Sequence, residues 1–594
     1  MILAQLSLIE MSGIRIEVLF QILYFLNCTF VIQENLDKMT FSFRKKKQLF
    51  DVNPGLLILA VLSSFSTFGQ KTKFSHEDSV RGSNTIERAW WDLKNYDLSV
   101  SVEPSKKRIF GVNKITYVVL KASQIMQIDL QSPMKIKKVT QNGQSLKFNE
   151  KGNAHFIELK AKQNLNDTNS IEIQFEGLPL ISKNPPWSGG FTWEKDESGK
   201  DFIATSCQGI GASIWWPCKD HPADEPENMQ IHVSILTELN LIAVSNGRLE
   251  NIDKGNKWTT FHWKVKNPIN NYGVNVNIGD YVDFSEVFEG EKGDLDCHYY
   301  VLKNHLEAAK SQFKQVPMML KAFEHWFGPY PFYEDSYKLV EVPYLGMEHQ
   351  SSVTYGNGFK NGYLGKDLSK TGWGLKFDFI IIHESGHEWF ANSITNQDVA
   401  DMWIHESFTS YAENLYLEYY FGKEAGAEYV IGKQAKIEND KPIIGNYNVN
   451  NEGSGDMYYK GENMLHTLRQ WVRNDDKWRT ILRKMNDTFY HQTVTSAQVE
   501  VFLAQETGFN LKPFFDQYLR NTTVPIFQYQ IEKDSFKFRW DNCVQGFNLP
   551  LKVKINDSEY WIEPNTDWRS VNLLKNIESV SVDTNLYIEV KEIK

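Results

Sequence analysis

The chain has 594 residues, a formal net charge of -10, and 13% aromatic residues, with 17 tryptophans among them. That length exceeds what one core can fill, so about three domains are expected. The acidic balance argues against nucleic acid as a partner, and there is neither a basic stripe nor a zinc-finger spacing. Cys28, Cys207, Cys218, Cys297 and Cys543 form no CxxC pair, which argues against a disulfide framework.

In chain order, residues 1–38 hold an apolar run from Val18 to Ile32 that Gln21 and Asn27 interrupt, short for a membrane span. They read as an upstream extension, with translation starting at Met39, or else as part of an N-terminal membrane anchor. Residues 39–69 read as a signal peptide or membrane anchor. Arg44-Lys45-Lys46-Lys47 is the basic region, Leu56 to Phe68 the apolar one, and Gly69-Gln70 a small-residue cleavage point. Either way the chain is expected to be exported: periplasmic, secreted, or membrane-anchored and facing outside. Residues 70–89 are polar and without periodicity, so they are expected to be a linker.

From 90 to 290 the pattern is short alternating runs, such as Lys114–Leu120, Ser170–Phe175 and Met229–Ile235, punctuated by Asn142-Gly143, Asn246-Gly247 and Lys254-Gly255. This predicts an N-terminal antiparallel β domain. From 291 to 525 the period becomes helical. Helices are predicted over His305–Phe327, Phe377–Ser393, Glu406–Tyr420, Gly461–Val472, Lys477–Met485 and Ser496–Glu506. From 526 to 594 strand patterns return, in Phe527–Ile531, Phe536–Trp540 and Leu549–Ile555, as a short C-terminal β module. The fold class is multidomain α+β.

Chemistry concentrates in His383-Glu384-Ser385-Gly386-His387, followed after eighteen residues by Glu406. Histidines four apart share one helix face, so both rings can reach one metal ion. Glu406, on the next helical pattern, is the third ligand. Two histidines and one carboxylate leave a position on zinc open, as a catalytic site requires. Glu384 points around the helix toward that open position. The flanks, Phe379 to Ile382 and Trp389-Phe390, are apolar, and polar groups in such a helix are costly unless paired or ligating.

The order of four motifs resembles the zinc aminopeptidase family of the gluzincin clan, the aminopeptidase N and leukotriene-hydrolase type. The first is the zinc site. The second, Leu345-Gly346-Met347-Glu348-His349, is similar to the family's GAMEN motif, departing from it at Leu345, Gly346 and His349. The third, Tyr458-Tyr459-Lys460-Gly461, is similar to its Tyr-x-Lys-Gly. The fourth is Cys207-Gln208-Gly209 ahead of Trp216-Pro217-Cys218-Lys219-Asp220.

The resemblance implies a thermolysin-like, mostly helical catalytic domain over 291–525 and one zinc per chain on His383, His387 and Glu406. It implies Glu384 as general base, Tyr458 as oxyanion donor, and a substrate-binding set of Gln208, Gly346, Met347 and Glu348, in which Glu348 binds the free α-amino group of a peptide. The tyrosine doublet leaves the register open between Tyr458 and Tyr459. Asp401 and Glu388 are candidates for orienting the ligand histidines. The chain after Pro525 is too short for the helical C-terminal domain that encloses the active site in many members, which implies an open cleft and tolerance of longer peptides. An endopeptidase on the same zinc is the nearest rival, and a binding protein with a relict site is a third reading.

Overall fold

A computed structural model of the chain describes residues 74–532, 535–572 and 577–594. The expected extension at 1–38 and signal or anchor segment at 39–69 lie outside the described residues. No helix among those described is long and apolar enough to cross a membrane.

The stretch expected as a linker differs from that expectation. It carries helix α1 (His76–Gly82), which begins in a capping box. The Ser75 hydroxyl accepts from the Asp78 amide at 3.1 Å, and the Asp78 carboxylate accepts from the Ser75 amide at 2.7 Å. Two turns are too short to show a period. Arg88 then enters the interior and pairs with Asp129 at 2.7 Å, fastening the segment to the β domain.

The β domain is built on an eight-stranded sheet in which the long strands Trp91–Glu103 and Arg108–Val119 pair antiparallel at its centre. Alternate residues such as Leu98, Val100 and Val102 bury one face. The expected antiparallel arrangement has one exception, because Trp91–Glu103 pairs parallel with Asn228–Leu236. A second sheet orders Ile242–Val244, Asn277–Gly279, Asp201–Ser206 and Gly190–Lys195. Its strand Asp201–Ser206 ends one residue before Cys207-Gln208, so a buried strand sets where that loop begins.

The boundary expected between 290 and 291 falls inside a hairpin. Tyr281–Gly290 and Gly293–Leu302 pair along their length, and the second strand continues into Tyr337–Glu341, Val353–Tyr355 and Gly346–Met347. This five-stranded sheet was not predicted. Tyr337–Glu341 is buried at every position and so shows no alternation, and the last two strands are three and two residues long.

Helices α2 (Leu306–Gln312) and α3 (Gln315–Phe327) replace the single helix expected over 305–327. The next is α4 (Phe379–Gly386), followed by α5 (Trp403–Phe421), α6 (Lys423–Gly432) and α7 (Tyr459–Val472). The last three are α8 (Asp475–Thr488), α9 (Ser496–Thr507) and α10 (Lys512–Leu519). The C-terminal strands form a four-stranded and a three-stranded sheet that share the hydrophobic core of the helices.

Candidate active site

α4 starts where Asp378 caps it, accepting from the Ile380 and Ile381 amides at 3.1 and 3.4 Å. It ends at Gly386, short of the predicted Ser393. Phe390 leaves helical angles and Ala391 takes φ 154°, a region in which a non-glycine residue is strained. The turn has a use, because it presents the Phe390 carbonyl to His387 Nδ1 at 3.0 Å. A carbonyl only accepts, so Nδ1 carries the proton and Nε2 keeps its lone pair. The same logic fixes His383, whose Nδ1 donates to Glu413 Oε1 at 2.8 Å. Both free nitrogens face one point, with the two rings 5.0 Å apart.

Glu406 arrives from the first turn of α5. Its Oε2 stands 3.4 Å from His387 Nε2 and 3.7 Å from His383 Nε2. Those three ligand atoms lie within 4.8 Å of one another, and all three residues are buried. Glu406 Oε2 has no hydrogen-bond partner. A buried carboxylate oxygen left unpaired between two ring nitrogens fits a bound cation. Electrostatics agree. Burial opposes charge on His383, but Glu406 and Glu413 overcome it and hold its pKa well above the ordinary value, so the carboxylates favour a positive charge at Nε2, either a proton or a metal ion that replaces it. The donor set, two imidazoles and one carboxylate, suits zinc.

Glu384 lines the same cleft, and burial, reinforced by Glu348 and Glu406, pushes its carboxyl up to about 7. A carboxyl poised there can take and return a proton near neutrality. Gly346 makes room for it. A Cβ at that position would lie 2.6 Å from Ile380 Cγ2, 3.1 Å from the Thr354 carbonyl and 3.2 Å from Glu384 Cγ. Gly346→Ala is therefore expected to cost about 1–3 kcal/mol of stability and to lower kcat by displacing Glu384. Thermal unfolding and steady-state kinetics check this, and wild-type values in both would refute it.

Glu348 is 3% exposed, and the Asn392 amide donates to its backbone carbonyl at 2.9 Å. The Gln208 amide donates to Glu348 Oε1 at 2.7 Å and to Glu406 Oε1 at 3.1 Å. The β domain thus reaches the metal site through one side chain. Arg81 of α1 donates to the carbonyls of Gly209, at 3.3 Å, and Ile210, so the supposed linker braces the Gln208 loop. Met347 also lines the cleft. His349, the departure from the family motif, is fully buried beside Thr354 Oγ1 at 3.2 Å, and burial pushes its pKa to about 3, so it is neutral. Of the tyrosine doublet, Tyr458 stacks toward His383, with ring centroids 6.1 Å apart. Burial, then Glu406 and Glu348, hold its phenol well above the ordinary pKa, so it remains a donor. Tyr459 faces Lys436 instead.

Asp401 and Glu388 do not orient the ligand histidines. Asp401 binds Tyr447 at 2.6 Å and the Ser496 hydroxyl, while Glu388 accepts from the Ser351 amide at 2.8 Å. The partner that sequence reasoning missed is Glu413. It lies seven residues after Glu406 on α5, two turns along the same face, and that spacing was the available signal. Tyr429 and Lys433 hold its other oxygen at 2.7 and 2.9 Å. Replacing Glu413 with Gln is expected to weaken zinc binding by about 10–100-fold. Competition with a chelating dye measures it, and affinity within twofold of wild type would count against the role. Cys207 and Cys218 are buried free thiols whose pKa burial raises, which removes them as nucleophiles.

A buried site of two histidines and one carboxylate, beside a free carboxylate on a cleft wall, defines a metal-dependent hydrolase. Residues 93–272 match the peptidase M1 N-terminal domain and residues 312–518 the peptidase family M1 domain. The chain belongs to the peptidase M1 family, and it is a zinc metallopeptidase. It is 24% identical over 437 residues to leukotriene A-4 hydrolase of Xenopus laevis, covering 70% of this chain and 68% of that one. To probable aminopeptidase 1 of Saccharolobus solfataricus it is 20% identical over 474 residues, covering 76% and 58%. The match thus spans well under two thirds of the archaeal relative. Among solved structures, an M1 zinc metallopeptidase of Deinococcus radiodurans, a mutant bound to a Tyr-Ser-Ala substrate, superposes with TM-score 0.64 at 18% identity. That match covers 75% of this chain and 97% of the other. This likeness supports the fold.

Proposed function

We propose that the protein is a zinc aminopeptidase that hydrolyses the first peptide bond of peptides with a free N-terminus. The observation that carries the reading is the Gln208 amide, which bridges Glu348 and Glu406. A buried carboxylate set one side chain from the metal ligands suits an ammonium held one residue from the scissile bond, and an endopeptidase has no use for it. The relatives named aminopeptidase support the same reading.

Zinc held by His383, His387 and Glu406 would supply a Lewis acid that polarises the scissile carbonyl and acidifies water. Glu348 binds the substrate ammonium, and Gln208 keeps its carboxylate aimed. Glu384 takes the proton of the attacking water and delivers it to the leaving amine. Tyr458 donates its hydroxyl to the developing oxyanion.

The test is a panel of aminoacyl-arylamides beside their N-acetylated counterparts, with and without a zinc chelator. Chelator-sensitive cleavage of the free amines alone is expected. Cleavage of blocked substrates would replace this reading with an endopeptidase, and cleavage of neither by zinc-loaded protein would favour a binding role. The basic and apolar run from Arg44 to Phe68 supports export. N-terminal sequencing of the protein from its host checks this, and an intact start in the cytosolic fraction would contradict it.

A further inference from the structure

The cleft has a volume of about 630 Å³, and one lysine or arginine lines it, Lys436. This residue follows α6, is half-buried, and makes no ion pair among the described residues. Its ammonium stands 5.6 Å from the ring centroid of Tyr459. The contrast with Lys433, three residues earlier, is informative. Lys433 is buried and held by Glu413 and Glu462 at 2.9 and 2.5 Å. Lys436 faces the cleft with no such partner. The hydroxyls of Tyr459 and Tyr363 likewise have no hydrogen-bond partner among the described residues, although both line the cleft.

These three groups border the His383 side of the ligand set, where Tyr459 lies near Tyr363 and near Glu413, the partner of His383. Tyr363 packs on Phe379 at 5.3 Å, and Phe379 stacks on His383 at 5.0 Å. Gln208 and Glu348 lie instead against Glu406. Glu348, Glu384, Glu406, Glu413 and Glu452 also line the cleft; Glu413 is paired with Lys433, so Lys436 is the one lining ammonium left without a carboxylate among the described residues. A peptide anchored by its ammonium at Glu348, with its first peptide bond over the ligands, must carry its later residues toward Lys436.

We propose that Lys436, with the hydroxyls of Tyr459 and Tyr363, forms a carboxylate-binding subsite on the leaving-group side of the cleft. The carboxylate is either the free C-terminus of a short peptide or an acidic side chain beyond the scissile bond. Complementary charges at the two ends fix register, and an ammonium with two neutral hydroxyl donors matches the acceptor sites of one carboxylate. The proposal rests on the aminopeptidase reading, and it runs against the expected tolerance of longer peptides.

The experiment compares KM and kcat for di-, tri- and tetrapeptides with a free carboxylate, the same peptides amidated, and amidated peptides with Asp or Glu after the first residue. In the wild type, amidation at the best length is expected to raise KM by about tenfold, the low end for a charge-assisted hydrogen bond, with kcat less affected. In Lys436→Met the ratio should collapse toward one, and Lys436→Arg should restore it. If Asp or Glu rescues the amidated peptides, the side chain is the source; if only the free C-terminus does, it is the terminus. Equal KM across all three sets in the wild type would overturn the subsite whether or not the variants fold. So would an amidation ratio that persists in Lys436→Met. Cleavage of no free-amine peptide would overturn the aminopeptidase reading, and this proposal with it.

Discussion

Glu384→Gln is expected to lower kcat by about a thousandfold, within the range of roughly 10²–10⁴ that a positioned general base supplies, while the protein keeps its zinc. Glutamine preserves the volume that Gly346 and Ile380 leave for this side chain but cannot accept the water's proton. Glu384 stands outside the His383, His387 and Glu406 cluster, although it also falls in a second cluster with Glu348 and His387; with the two-histidine set intact, metal content should match the wild type. The loss should fall on kcat more than on KM, because the ammonium anchor at Glu348 is untouched. Metal analysis and steady-state kinetics on the same preparation decide it. A variant that holds zinc and turns over within tenfold of wild type would remove Glu384 from the base role. A variant that loses zinc would mean that Glu384 holds the site together instead.

The legibility of the site follows from the range of the signals. His383, Glu384, His387 and Glu406 were readable because a helix turns spacing directly into a shared face. The Phe379–Gly386 helix also announced itself through a run of isoleucines, although the pattern puts its start at Phe377 and misses the Asp378 cap. Its end was not readable. Nothing local forbids a helix through Phe390 and Ala391; the break coincides with a contact the sequence does not show, the Phe390 carbonyl on the His387 imidazole. The five-stranded sheet was hidden because Tyr337–Glu341 is buried at every position and the two strands beyond it are three and two residues long. Contacts between distant segments were invisible in principle. Examples are Arg81 bracing the Gln208 loop and Lys433 beneath Glu413, which join residues far apart in the chain or on different helices. The α1 segment was misread for the opposite reason, since two turns held by one capping box carry too little periodicity to count.

The tyrosine doublet yields the other large effect. Tyr458→Phe is expected to lower kcat by about 10²–10³, the cost of removing one donor to a developing oxyanion, with little change in KM. The argument is geometric. Tyr458 lies against His383, and burial and the negative charge of Glu406 and Glu348 hold its phenol well above the ordinary pKa, so it is a hydroxyl donor near neutral pH. Phenylalanine keeps the ring and its stacking on His383 and removes only the hydroxyl, so fold and metal binding should survive. Tyr459, one residue on, begins the Tyr459–Val472 helix and has the Lys436 ammonium 5.6 Å from its ring centroid. Its loss to phenylalanine should act on KM for peptides that carry a carboxylate. Measuring kcat and KM for both variants on one arylamide and one free tripeptide separates the two. If the register were one residue later, the large loss in kcat would move to Tyr459→Phe. If neither variant lost more than a few-fold in kcat, oxyanion stabilisation would rest on the metal alone.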